Sequence, residues 1–176
     1  MKVLIVVDMQ NDFIDGALGS PEAQAIVPNV IEKIKQYRAD PEGALIFTAD
    51  THYDDYLDSQ EGRKLPVPHC INGTSGWHIP SSMYNPGDIL VPKVTFGAES
   101  LPLYIRSIER MCQKNIDSIE FVGLCTDICV ISNVMIVKAH YPEVPLIVDS
   151  SCCAGVTPAS HQNALEAMKM CQVEII

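Results

Sequence analysis

Asp50-Thr51-His52 and, further along, Pro68-His69-Cys70 supply one carboxylate and two imidazoles. That donor set suits a catalytic divalent metal with open coordination positions. Glu61 lies in the same loop and could add a fourth ligand, and Leu65-Pro66-Val67-Pro68 stiffens the approach to His69. Aspartate with two histidines is compatible with one ion of zinc, iron or manganese, and zinc is the first expectation.

A nucleophile accompanies the ligands. Gly123-Leu124-Cys125-Thr126-Asp127-Ile128-Cys129-Val130 reads as a thiol delivered at the start of a helix. A helix N-terminus and a nearby cation both favour the thiolate, and backbone N–H groups around such a turn can hold an oxyanion. Cys125 competes with Cys129 for the role. Taken alone, either cysteine is more often a buried structural thiol.

Other residues are ambiguous one at a time. Asp8 ends an apolar run, as a strand-end cap or as a buried catalytic carboxylate. Asp12 is a helix cap or a loop stabiliser, and Phe13 is core or pocket wall. Lys93, after Val91-Pro92, is a surface charge unless it points inward, where it would stabilise both the thiolate and Asp8. His78, His140 and His161 read as structural or surface residues. Trp77, beside His78, falls in the loop with the ligands.

The elements that must carry these groups alternate. Val3 to Val7, Ala44 to Ala49, Ile119 to Val122 and Pro145 to Val148 are continuous apolar runs, as expected of strands buried on both faces. Val173 to Ile176 is a further candidate, and Ile89 to Val91 a weaker one. Between them, Ile26, Val30, Ile31 and Ile34 share a helical face that ends before Asp40-Pro41. Leu103 to Cys112 and Ile128 to Ala139 continue the alternation, the latter capped by Thr126-Asp127. Thr157-Pro158 predicts an N-cap with proline at the first helical position, opening a helix through Met170.

The pattern predicts a three-layer α/β/α Rossmann-like fold, with about six mainly parallel strands flanked by helices. Residues 1–176 are expected to form one domain. Sites in such sheets sit at the carboxyl ends of strands near the switch point, where Asp8, Asp50 and Cys129 would fall.

Composition narrows the function classes. Hydrophobic residues make up 47% and charged residues 19%, which describes a folded globular chain. The net charge of -10 argues against nucleic-acid and anionic-membrane partners. Seven irregularly spaced cysteines do not make a disulfide framework, and Val3 to Val7 is too short for a signal-peptide core or a bilayer span. A reducing, cytoplasmic setting is expected. The absence of a glycine-rich phosphate motif and of a serine elbow weakens kinase, NAD-enzyme and serine-hydrolase readings.

Together the motifs resemble the isochorismatase-like cysteine hydrolases, and most closely their nicotinamidase branch. The resemblance runs from Val6-Val7-Asp8-Met9-Gln10-Asn11-Asp12-Phe13, through Thr48 to His52, Pro68 to Cys70 and Lys93, to Gly123 to Val130 and Asp149 to Leu165. It implies a catalytic triad of Asp8, Lys93 and Cys129, with metal ligation by Asp50, His52 and His69 and, in some members, by Glu61. It further implies a cis peptide at Leu124-Cys125, an oxyanion hole from the N–H groups of Cys125 and Cys129, and a pocket wall of Phe13, Trp77 and Leu124. Cys125 stands where the family has a small residue. The activity implied is metal-dependent hydrolysis of nicotinamide to nicotinate and ammonia through a cysteine thioester, by a homo-oligomer. Two rivals are a related amidase acting on ureido or carbamoyl substrates, whose activity would survive metal removal, and a non-catalytic metal-binding or redox-sensing protein that oxidises at Cys152-Cys153, a pair that reads more often as turn packing than as a switch.

Overall fold

The computed structural model describes all residues, 1–176. In chain order the elements are β1 (Lys2–Val7), α1 (Asn11–Ile14), α2 (Pro21–Ala39), β2 (Gly43–Asp50), α3 (Gln60–Lys64), β3 (Ile89–Lys93), α4 (Leu101–Cys112), β4 (Ser118–Leu124), α5 (Ile131–His140), β5 (Leu146–Ala154), α6 (Pro158–Met170) and β6 (Glu174–Ile175). All six strands join one sheet in the order β3-β2-β1-β4-β5-β6. Every pairing is parallel. No helix is long and apolar enough to cross a membrane.

The alternation of side chains along β1 explains its uninterrupted apolar sequence. Val3, Ile5 and Val7 enter a core with Leu101 and Ile105 of α4, Val134 and Val137 of α5, and Leu165 and Met168 of α6. Leu4 and Val6 face the other way, onto Ala23, Ile26, Val30 and Ile34 of α2. Both faces of the strand are covered, so neither can be polar.

The chain starts at the middle of the sheet, winds outward through β2 and β3, and then returns to the other side of β1 as β4. The switch point therefore lies between β1 and β4, where diverging loops leave a crevice at the carboxyl ends. Gly123 seals that junction from below. Its φ is +121°, and a Cβ there would lie 2.1 Å from the Val7 carbonyl oxygen, so only glycine allows the two strands to approach.

Several boundaries differ from the sequence expectation. The fifth strand does not stop at Val148 but runs to Ala154, with a register shift where it passes β4. Cys152 and Cys153 are therefore not turn residues. As strand neighbours they enter opposite cores, so they cannot bridge each other as a switch. Thr126-Asp127 does not cap the following helix. A π-helical turn over Thr126–Val130 precedes α5, and neither has a side-chain cap. Asp127 instead accepts the Val156 N–H, at 3.1 Å, and ties this turn to the segment entering α6. The cap at Thr157 is present as a full capping box, with Pro158 in the first turn of a helix ending at Met170.

Candidate active site

Three strand ends and one turn converge on a buried ammonium. Lys93, the last residue of β3, reaches across β2 toward β1. Its Nζ lies 2.7 Å from Asp8 Oδ2 and 3.2 Å from Asp50 Oδ1. The same Nζ donates to Cys129 Sγ at 3.5 Å. The ammonium thus meets three groups from three different elements, hydrogen-bonded to Asp50 and Cys129 and ion-paired with Asp8. Lys93 is 5% exposed and Asp8 is fully buried, so this ammonium is no surface charge.

Asp8 turns out of β1 with a φ of +48°. Its Oδ1 accepts the Thr48 hydroxyl at 2.6 Å, from the neighbouring strand. Its Oδ2 makes the Lys93 ion pair yet is the one buried side-chain oxygen or nitrogen without an aligned hydrogen-bond donor. That oxygen retains room for a proton. Thr48 was not among the residues singled out from the sequence, although a hydroxyl in an apolar strand was the available sign.

The ionisation of this group follows from burial and mutual charge. Burial pushes Asp8 above the ordinary carboxylate value, against the pull of Lys93. Burial also disfavours the Lys93 ammonium, but the charges of Asp8, Cys129 and Asp50 overcome it and hold Lys93 protonated. Burial, then the Asp8 charge, pushes the Cys129 thiol up while Lys93 opposes them. Cys129 is thus in contact with the charged groups that would manage its proton. The Cys125 thiol is pushed up to about 12, by burial and then by Asp127.

Cys129 stands in the π-turn after β4, as the sequence segment suggested, though in a wider turn than the expected α-helix. Single π-turns recur at functional sites. The Leu124-Cys125 peptide is cis. The Cys125 carbonyl accepts the N–H groups of Ile128 and Val130 at 3.1 and 3.0 Å, which folds the turn back on itself. No backbone hydrogen bond engages the Cys125 N–H.

The second cluster adjoins the first through Asp50. Asp50 Oδ2 lies 3.0 Å from His52 Nε2 and 3.6 Å from His69 Nε2. Glu61 Oε1, presented by α3, is 3.8 Å from His52 Nε2 and 3.7 Å from His69 Nε2. Ligand atoms bonded tetrahedrally to a metal at about 2.0–2.2 Å stand roughly 3.3–3.6 Å apart; the four ligand atoms here all lie within 4.8 Å of one another, a cluster that could draw in around one ion. His69 supports the fit: its Nδ1–H donates to the Val67 carbonyl at 2.8 Å, which leaves the Nε2 lone pair facing the cluster. Asp50 is held well below the usual carboxylate range. Burial opposes this, but the neighbouring His52 and His69 rings and the charge of Lys93 outweigh it.

Local backbone pairing brings the distant histidine in. His52 N–H donates to the Cys70 carbonyl and Asn72 N–H to the His52 carbonyl, a short parallel bridge beyond β2. Asp12 Oδ2 accepts the Cys70 N–H at 2.7 Å, so the loop stabiliser expected at Asp12 holds the His69 segment. Gln10, which sequence reading passed over, holds Asp50. Its Oε1 accepts the Asp50 N–H at 2.7 Å and its Nε2 donates to the Asp50 carbonyl at 2.9 Å.

A cavity of about 900 Å³ opens onto both clusters. Cys129, Cys125, Leu124 and Phe13 line it, as do Asp50, His52, Glu61 and His69. Trp77 does not line this cavity, contrary to expectation. Its indole N–H donates to Thr51 Oγ1 at 2.9 Å, which turns the ring into the scaffold behind the site. His161, read as structural or surface, pairs with Thr126 Oγ1 at 2.8 Å and buttresses the π-turn.

The isochorismatase domain pattern matches residues 2–176. The chain belongs to the isochorismatase family. Among its relatives, the nicotinamidase/pyrazinamidase of Mycobacterium tuberculosis is 28% identical over 190 residues, covering 100% of this chain and 98% of that protein. The nicotinamidase of Schizosaccharomyces pombe is 25% identical and covers 98% of this chain and 91% of its own length. The pyrazinamidase of Pyrococcus horikoshii, crystallised in complex with zinc, superposes with a TM-score of 0.83 at 25% identity, over 99% of this chain and 98% of that one. The isochorismatase fold thus accounts for the six parallel strands, and the family for a hydrolase.

Proposed function

We propose that this isochorismatase-family protein hydrolyses nicotinamide to nicotinate and ammonia, with Asp8, Lys93 and Cys129 as its catalytic residues. The reading is carried by one observation: Lys93 touches Asp8, Cys129 and a candidate metal ligand at once, beside a cavity that Cys129 lines. The names of the relatives, nicotinamidase and pyrazinamidase, point to the same class of aromatic amide.

Asp50, His52, His69 and Glu61 would hold one divalent ion, with zinc as first choice. When bound, such an ion supplies a Lewis-acid anchor for the pyridine nitrogen of the substrate. Phe13 and Leu124 bound the ring from the sides. Asp8 takes the Cys129 proton as Sγ attacks the carboxamide carbon, and Lys93 balances the charges of both groups. The N–H groups of Cys125 and Cys129 receive the developing oxyanion. Asp8 gives its proton to the leaving nitrogen, and ammonia departs from a thioester on Cys129. Asp8 then removes a proton from the attacking water, nicotinate leaves, and the thiol is restored. The reading includes a homo-oligomer and a cytoplasmic setting.

The experiment is ammonia release from nicotinamide before chelation, after it, and after return of zinc. Turnover lost on chelation and restored by zinc is the expected result. Turnover indifferent to chelation, or none at all in folded, zinc-loaded protein, would overturn it.

A further inference from the structure

The cavity is larger than the reaction requires. At about 900 Å³ it lies near the top of the range that drug-sized ligands fill, roughly 300–1,000 Å³. A one-ring amide seated against Cys129 and Asp50 leaves most of it free. Its wall includes the apolar side chains of Leu65, Val94, Phe96 and Val156 alongside the polar Ser20, Ser59, Gln60 and Thr95. The four apolar residues are exposed by 38%, 64%, 46% and 60% respectively. Single exposed apolar residues are ordinary, but four that converge on one opening mark a ligand surface.

The rim is held in place. The Val156 N–H is bound by Asp127, and the Thr95 hydroxyl donates to the Gly97 carbonyl at 2.8 Å, closing the turn that presents Phe96. The only carboxylates lining the cavity are the candidate ligands Asp50 and Glu61, and Lys64 is its only lysine or arginine. This end of the cavity therefore offers apolar contact and little charge to pair with a polar tail.

We infer that the cavity holds an apolar subsite beyond the reacting groups, and that the protein takes aromatic primary carboxamides enlarged by an apolar ring substituent. The inference rests on the amidase reading for its chemistry and on the rim residues for its selectivity.

The test is kcat/KM for nicotinamide and for ring-alkylated nicotinamides from methyl to butyl. Burying each added methylene should raise kcat/KM about three- to fourfold until the subsite is full, mainly through KM. Joint replacement Phe96→Ser and Val156→Ser should flatten the series while leaving nicotinamide itself within about twofold. Should that pair fail to fold, as seen by circular dichroism, Leu65→Ser alone should halve the gradient or more. A flat or falling series in the unaltered protein would overturn the subsite, as would a gradient that persists in the variants. If nicotinamide is not turned over, the amidase reading fails alone. Calorimetric binding of the same series to the Cys129→Ala protein then decides the subsite, with a rising gradient upholding it and a flat one ending it.

Discussion

Gln10 grips Asp50 by both backbone groups, accepting its N–H at 2.7 Å and donating to its carbonyl at 2.9 Å. The amide does what a strand neighbour would do. The β1–β2 ladder ends at Val6 and Phe47, and Asp8 then turns the chain away with a positive φ. The last residue of β2 would otherwise have no partner on that side. A side-chain amide carries the same donor and acceptor as the missing peptide, and it fixes the residue that joins the two clusters.

Gln10→Ala should therefore loosen Asp50. Zinc affinity, read by chelator competition, should fall about 10- to 100-fold, the usual effect of losing a group that orients a ligand. Stability should drop by about 1–3 kcal/mol, because a buried Asp50 N–H is left unpaired. Unchanged zinc affinity would show that the grip serves folding alone.

Removal of the Thr48 hydroxyl tests Asp8 as the base. Burial raises the Asp8 pKa, and the base is competent only when ionised, so turnover should fall as pH drops through that raised value. The Thr48 hydroxyl bonds and favours the carboxylate. Thr48→Val should raise the pKa further and move the acid limb of kcat/KM to higher pH. A limb that stays put or moves down would remove Asp8 from the role.

Cys129→Ala should abolish turnover while zinc affinity and the thermal midpoint stay close to those of the unaltered chain. Cys125→Ala should retain activity within about tenfold, since the proposed contribution of Cys125 is its backbone N–H. Loss of activity in the second variant alone would reverse the assignment of nucleophile.

Far from the site, Lys33 of α2 bridges Glu120 of β4 at 2.6 Å and Asp149 of β5 at 2.8 Å. Hydrogen bonds from Lys33 and Ser151 outweigh burial and hold Asp149 below its ordinary value of 3.8. A depressed carboxylate contributes stability above its unfolded pKa and loses it as pH falls through the folded one. Lys33→Met should cost about 1.5–3 kcal/mol at neutral pH. The difference from the unaltered chain should shrink as pH falls below 3.8 in urea titrations. A pH-independent difference would assign the effect to packing.

Much of this protein was legible in its sequence, because both of its main signs are local. Uninterrupted β-branched runs mean strands covered on both faces, and Thr157-Pro158 sets a helix start by backbone chemistry within four residues. Asp8, Asp50 and Cys129 could be placed at strand ends for the same reason, and the resemblance to a known family joined them to Lys93 and His69. What the sequence left open depends on where separate segments meet. Whether Lys93 faced solvent or Asp8 was decided by the β3-β2-β1 order, which lets one long side chain span two strands. Trp77 lies outside the cavity with its N–H on Thr51, and Asp127 accepts the Val156 N–H, from a segment 29 residues away, in place of a helix cap. Gln10 and Thr48 gained their partners only when strands far apart in the chain were laid side by side. Periodicity and capping are properties of neighbours in sequence. Hydrogen-bond partners and charge balance across a crevice are properties of neighbours in space, and only the packed sheet supplied those.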